Sequence, residues 1–192
     1  LRPLTERISG DSRPKQFCSV LGPETLLTET RRRVALGISP ARTFFVVTRT
    51  HERFYTPLLA DVWSRQLVVQ PENRGTAPAI LYALLRLAAV GLTGSVGRVD
   101  TLVRLIKVAV PELYQAFATI RSALGTACET ELMRELYARL PATDFSRRVL
   151  ESPHATLAVL PVSGVDWDDL GVPERVLSTR RQARCEALAL GA

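Results

Sequence analysis

Two short runs of β-branched and aromatic residues, each followed by a stretch with helical character, constrain this chain more than any other feature. Thr43-Phe44-Phe45-Val46-Val47-Thr48 and Gln66-Leu67-Val68-Val69-Gln70 read as buried strands. His51 to Trp63, between them, reads as a helix. Gly75 to Val90 reads as another, with Pro78 in the first turn, where its missing N–H costs nothing. Strand, helix, strand and helix at these lengths predict parallel strands joined by right-handed crossovers.

Upstream, Pro23 to Gly37 has helical spacing, with Leu26, Leu27, Thr30 and Val34 on one side and Gly37 as its stop. A weak strand is expected at Phe17 to Leu21. The second half differs. Asp100 is placed to cap a helix carrying Leu102, Val103, Leu105 and Ile106. Pro111 restarts a helix through Leu113, Tyr114, Phe117 and Ile120. Glu129 to Leu140 is a third, stopped by Pro141. A strand at 156–162, an acidic turn-rich loop from Ser163 to Gly171 and a basic helix from Pro173 to about Leu188 complete the chain. The expected class is α/β in a single domain over residues 1–192. Three or four strands are thin for a doubly wound sheet of about five or six, so the sheet is expected to be incomplete.

Composition narrows the function. Of 192 residues, 46% are hydrophobic and 23% charged, which excludes a disordered or fibrous chain. The longest apolar stretch, Ala77 to Val90, carries Arg86 and falls short of the roughly 20 residues of a membrane span, so no membrane partner is expected. Three cysteines and two histidines are too few and too scattered for a disulfide framework or an obvious Cys/His zinc site. No signal peptide opens the sequence, and a cytoplasmic location is the default. The net charge of +6 gathers at Arg31-Arg32-Arg33 and Arg180-Arg181 to Arg184. Such runs on helices are solvated faces. With only 6% aromatic residues there is little to stack on bases, so no nucleic-acid partner is expected. His51 and His154 are read as structural or solvated.

Four segments carry the chemistry. They are Leu1-Arg2-Pro3-Leu4-Thr5 followed by Arg13-Pro14-Lys15-Gln16-Phe17; Val69-Gln70-Pro71-Glu72-Asn73-Arg74-Gly75-Thr76-Ala77-Pro78-Ala79-Ile80; Tyr137-Ala138-Arg139-Leu140-Pro141 through Asp144-Phe145-Ser146; and Gly164-Val165-Asp166-Trp167-Asp168-Asp169-Leu170-Gly171 through Val176. In this order they resemble the sugar-nucleotide pyrophosphorylases, and within them the mannose-1-phosphate guanylyltransferase branch. The resemblance runs from Leu1 to about Val176. It implies a Rossmann-like nucleotidyltransferase sheet with flanking helices. It also implies departures. The family's N-terminal Gly-rich loop and its signature Arg are expected to be missing before Leu1. A central block of strands, with a metal-binding aspartate and most of the sugar pocket, is expected to be missing near Val90–Gly91, where the sequence passes abruptly to Gly94-Ser95-Val96-Gly97.

The activity the resemblance implies is nucleotidyl transfer, forming GDP-mannose and pyrophosphate from GTP and mannose-1-phosphate, with Mg²⁺ as cofactor and a possible homo-oligomer. An oxygen of the sugar phosphate attacks the α-phosphorus of GTP and pyrophosphate leaves in line, so catalysis is positioning and charge neutralisation. By resemblance Lys15 is the catalytic, phosphate-contacting cation and Asp169 the Mg²⁺ ligand. Gln70, Asn73, Arg74, Gly75 and Thr76 are the nucleotide-binding set, at a strand end and helix start where open α/β sheets hold ligands and helix N–H groups are free. Gly75 is the position at which backbone would approach the base. Beside these readings, Lys15 reads as a surface lysine, Gly75-Thr76-x-Pro78 as a helix start and Asp169 as a turn residue. Without the loop and the central block, the chain alone is expected to be inactive. The alternatives are transfer to another sugar 1-phosphate, or a non-catalytic relic or subunit of the same fold.

Overall fold

The structure, a computed structural model, describes residues 2–89, 96–151, 161–164 and 172–190. In chain order its regular elements are α1 (Arg2–Ser9), α2 (Leu26–Ala35), β1 (Phe45–Thr48), α3 (Glu52–Tyr55), β2 (Leu67–Gln70), α4 (Thr76–Ala89), α5 (Val96–Ala109), α6 (Pro111–Ala118), α7 (Glu129–Arg139) and α8 (Pro173–Leu190). Short 3₁₀ turns and a π-helical turn (Ser146–Leu150) link them. The architecture is mixed helix and sheet, and among the described residues the sheet has two parallel strands. No helix among them is long and apolar enough to cross a membrane.

The chain divides into two units: Leu1–Thr43, His51–Asp61 and Leu160–Ala192 in the first, Phe44–Thr50 and Val62–Val159 in the second. In the second, β1 and β2 pair in the expected parallel sense, with Phe45 opposite Leu67 and Thr48 opposite Gln70. Neither strand is buried on both faces, as their apolar composition suggested. Val68 and Gln70 are buried while Leu67 and Val69 are partly open, and Val46 is 40% exposed. A strand covered on one face alternates in this way.

The core of the second unit is built on α4. Ala77, Leu81 and Leu85 recur at helical spacing with Tyr82 beside Leu81, and all are buried, which forms an apolar stripe along one side of the helix. Val68 of β2, Ile106 of α5, Leu113 and Phe117 of α6, and Met133 and Tyr137 of α7 close around it. The rings of Tyr82, Phe117 and Tyr137 lie 6.2 to 6.5 Å apart, with Phe117 edge-on to Tyr137, a spacing in which ring edges meet ring faces favourably.

The first unit has a smaller core of Cys18, Val20 and Val176, with Leu4, Leu21 and Leu26 packed against it. No strand forms at Phe17 to Leu21. The chain there makes a 3₁₀ turn (Lys15–Phe17), and the Cys18 carbonyl accepts the Leu26 N–H at 3.1 Å, so these apolar side chains are buried without a ladder.

Other expectations are corrected. The helix read over His51 to Trp63 is only α3, because Pro57 has no N–H to continue the ladder and diverts the chain into a 3₁₀ turn (Pro57–Leu59). Asp100 is no cap: α5 starts four residues earlier, since nothing at 96–99 blocks helical backbone. α2 does end just before Gly37, with Leu36 as its C-cap, but through a tightened last turn in which the Leu36 and Gly37 N–H groups bond the Arg33 and Val34 carbonyls, and Gly37 keeps a negative φ. Of the strand expected at 156–162, residues 156–160 lie outside the described residues, and Pro161 and Val162 form no strand. The expected seam at Val90–Gly91 also lies outside them. Helices start at Pro111, Glu129 and Pro173 as read, but the first ends at Ala118 and leaves Ile120 in the turn that follows.

Leu81 is fully buried and Val108, on α5, is 67% exposed. Leu81→Ala is expected to destabilise the second unit by about 3 kcal/mol, and Val108→Ala by less than about 0.5 kcal/mol. Urea unfolding of both variants checks the contrast.

Candidate functional site

The turn from Gln70 to Thr76 leaves the C-terminal end of a parallel strand and enters α4, the position at which open α/β sheets hold ligands. Gln70, the last residue of β2, is 7% exposed, and its side-chain carbonyl accepts the Tyr137 hydroxyl at 3.1 Å. Burial holds the Tyr137 phenol above its ordinary pKa, so it remains a donor. Asn73 shapes the turn: its Oδ1 accepts the Gly75 N–H at 2.9 Å, a local side-chain substitute for a backbone turn. Arg74 pairs with Glu72 at 3.0 Å.

Gly75 and Thr76 are held by a segment far along the chain. The Thr143 N–H donates to the Arg74 carbonyl at 2.9 Å, and the Thr143 carbonyl accepts the Ala77 N–H at 3.0 Å. These two bonds straddle Gly75. Its φ is +88°, and a Cβ there would lie 2.4 Å from the Thr143 oxygen. Thr76 completes the clamp. Its Oγ1 accepts the Phe145 N–H at 2.7 Å and donates to Asp144 Oδ2 at 3.5 Å. The other Asp144 oxygen takes the Arg147 N–H at 2.9 Å. Two of the four motif segments are therefore brought together, and glycine is required at 75 by the Thr143 backbone. The N–H groups expected to be free at the start of α4 are partly used: that of Ala77 is taken, and Pro78 has none.

Lys15 lies in the first unit. It opens the Lys15–Phe17 turn and lines a crevice with Leu4, Ile8, Val20 and Val176 that is too narrow for a water molecule, the setting of a lysine that buries its stem and keeps its head polar. The residues around it are firmly held. Phe17 is buried and stacks on Phe54 at 5.9 Å. Arg13 grips Asp11 through two hydrogen bonds of 2.7 and 2.8 Å, which hold that carboxyl down at about 2. His51 sits edge-on to Phe17, in the structural role expected of it. Arg31 bonds the Leu58 carbonyl and Asp61, each at 2.6 Å, so the arginine run on α2 is partly spent on packing.

Asp169 lies outside the described residues. Among the described residues no group of three carboxylate, histidine or cysteine side chains is placed to hold a metal ion, so those residues do not fit Mg²⁺.

A second polar cluster went unread in the sequence. Glu129 opens α7 and is buried. Its carboxylate accepts the Tyr82 hydroxyl, Arg86 Nη1 at 2.9 Å and the Gly125 N–H at 2.7 Å. Burial first, and then the Glu129 carboxylate, raise the Tyr82 phenol. The available signal was an acid in the first turn of a helix four residues after a glycine, where helix N–H groups favour negative charge.

Gly75→Ala is expected to cost about 2–3 kcal/mol, from a strained φ and the clash with Thr143. Thr76→Val removes the acceptor of the Phe145 N–H and is expected to cost about 1–2 kcal/mol, with faster hydrogen exchange at Phe145. Chemical denaturation and amide exchange measure both. No protein-family model matches the chain, and no curated protein matches it.

Proposed function

We propose that this chain belongs to a sugar-1-phosphate nucleotidyltransferase in which the Gln70–Thr76 turn receives the base and ribose of GTP. The observation that carries the reading is the turn itself: a glycine-containing turn at the C-terminal end of a parallel strand, leading into a helix and pinned by the 143–145 segment. Rigid backbone around a glycine suits recognition of a planar base. Gln70 gives its carbonyl to Tyr137, so the end a guanine carbonyl would meet is the side-chain NH₂. The order of the four motif segments supports mannose-1-phosphate as the second substrate.

In the proposed reaction an oxygen of mannose-1-phosphate forms a bond to the α-phosphorus of GTP. The bond from that phosphorus to the β-phosphate bridging oxygen breaks, and pyrophosphate leaves with the electron pair. Two anions must approach each other, so cations supply much of the barrier lowering. Lys15 carries that role in this reading.

Titration calorimetry with GTP, ATP and mannose-1-phosphate tests the proposal. GTP is expected to bind saturably and about tenfold more tightly than ATP, and Lys15→Ala to weaken GTP about tenfold with an unchanged thermal midpoint. A folded chain that binds neither nucleotide, or binds GTP no better than ATP, overturns the guanine reading.

A further inference from the structure

We infer that Ser39, in the first unit, is a phosphorylation site for a proline-directed protein kinase using ATP. The inference does not depend on the nucleotide reading. Three Ser/Thr-Pro pairs occur in the sequence, Ser39-Pro40, Thr56-Pro57 and Ser152-Pro153, and only the first has a basic residue, Arg42, three positions after the hydroxyl. The third lies outside the described residues, and the structure separates the other two. Ser39 has extended backbone, with φ −55° and ψ 138°, as a following proline favours. Every residue from 35 to 42 is exposed, and the Ser39 hydroxyl has no hydrogen-bond partner among the described residues. Thr56 is the reverse. Its backbone is helical, with φ −53° and ψ −50°, and its hydroxyl donates to the Glu52 carbonyl at 2.8 Å. Transfer to Thr56 would require that helical turn to open. Ser39 is held only through its carbonyl, which accepts the Arg42 N–H at 2.9 Å and the Thr43 hydroxyl at 3.2 Å. An exposed three-residue turn of this kind opens at little cost.

In the transfer the Ser39 Oγ forms a bond to the γ-phosphorus of ATP. The bond from that phosphorus to the bridging oxygen of the β-phosphate breaks, ADP leaves with the electron pair, and the hydroxyl proton passes to the kinase's carboxylate base. The surroundings suit the product. No Asp or Glu occurs between Glu29 and Glu52. Arg31 is spent on Asp61, but Arg32, Arg33 and Arg42 are exposed and pair with no carboxylate among the described residues. Arg42 closes the 3₁₀ turn that Ser39 opens, and side chains three apart in such a turn lie in line. A phosphate on Ser39, which adds roughly −1.5 to −2 charges, therefore lies on the same side of the turn as the Arg42 guanidinium. Phosphate–guanidinium pairs are charge-assisted and bind through paired donors. Arg42 thus serves first in recognition by the kinase and then as the partner of the phosphate.

The test incubates the folded chain with a purified proline-directed Ser/Thr kinase and ATP, and locates the phosphate by peptide mass spectrometry. Ser39 is expected to be modified at least about tenfold faster than Thr56. Pro40→Ala and Arg42→Gln should each slow the modification of Ser39 at least about threefold, with an unchanged thermal midpoint. Ser39→Ala should abolish the phosphate on that peptide. In the phosphorylated parent, ³¹P resonance should show the phosphate titrating below its ordinary value of about 6, and Arg42→Gln should bring it back up. No phosphate on Ser39, equal rates at Ser39 and Thr56, or a Pro40→Ala chain modified as fast as the parent would each overturn the site. A phosphate whose titration Arg42→Gln leaves unmoved would overturn its pairing with Arg42.

Discussion

The Thr143 peptide is the constraint on which the candidate site depends. Its N–H and C=O are both committed to the 74–77 backbone, at 2.9 and 3.0 Å, and they enclose Gly75 so closely that no side chain fits there. A buried peptide group must find partners, and Thr143 is 8% exposed. Pairing it with the turn satisfies both of its groups and two groups of the turn at once. The chain after Pro141 is thereby tied to the start of α4. Thr76 and Asp144 extend the tie by one residue on each side, and Asp144 passes it on to the π-helical turn through Arg147.

The middle of α4 is held by a different force. Tyr82 and Arg86, one turn apart, both reach Glu129, so α4 is pinned near its start by backbone bonds and further along by a buried charge. The pair stabilises less than its short distances suggest, since removing an arginine and a carboxylate from water costs several kcal/mol. What Glu129 supplies is position. With a third bond from the Gly125 N–H, its carboxylate sets the rotation of α4 against α7. Losing it would leave the partly buried Arg86 and the buried Tyr82 hydroxyl without their acceptor, a change that destabilises by about 1–3 kcal/mol.

Local physics made much of this legible in the sequence. β1 and β2 were marked by β-branched runs, and their parallel pairing followed from the helical residues between and after them. Pro78, Pro111 and Pro141 bounded helices as their ring geometry requires. Errors arose where a non-local partner or a nearer breaker decided the outcome. Pro57 cut short the helix expected across it. Phe17, Cys18 and Val20 looked like a strand, but Phe17 is buried against Phe54 and Cys18 and Val20 against Leu26 and Val176. Gly75 was read as the place where backbone approaches a base; what the sequence did not announce is that a peptide 68 residues away also needs glycine there, because it occupies the space a Cβ would take. Nothing in the spacing of the 69–80 segment announces Thr143, because that contact is a property of the tertiary fold. Asp144 was the accessible half of the clue: Asp-Phe-Ser-Arg is a helix-start pattern whose carboxylate satisfies an N–H three residues on.

The clamp also bears on how a nucleotide would be held. A helix start attracts phosphate because its first N–H groups lack partners. At α4, Ala77 has given its N–H to Thr143 and Pro78 has none to give, so this helix start is a weakened anion site. Phosphate charge brought to the Gln70–Thr76 turn must then be met mainly by side-chain cations. The turn itself is better matched to a neutral group, because it offers a rigid backbone at little conformational cost on binding. In the proposed reading, the base is therefore met at the strand end and the triphosphate is neutralised elsewhere.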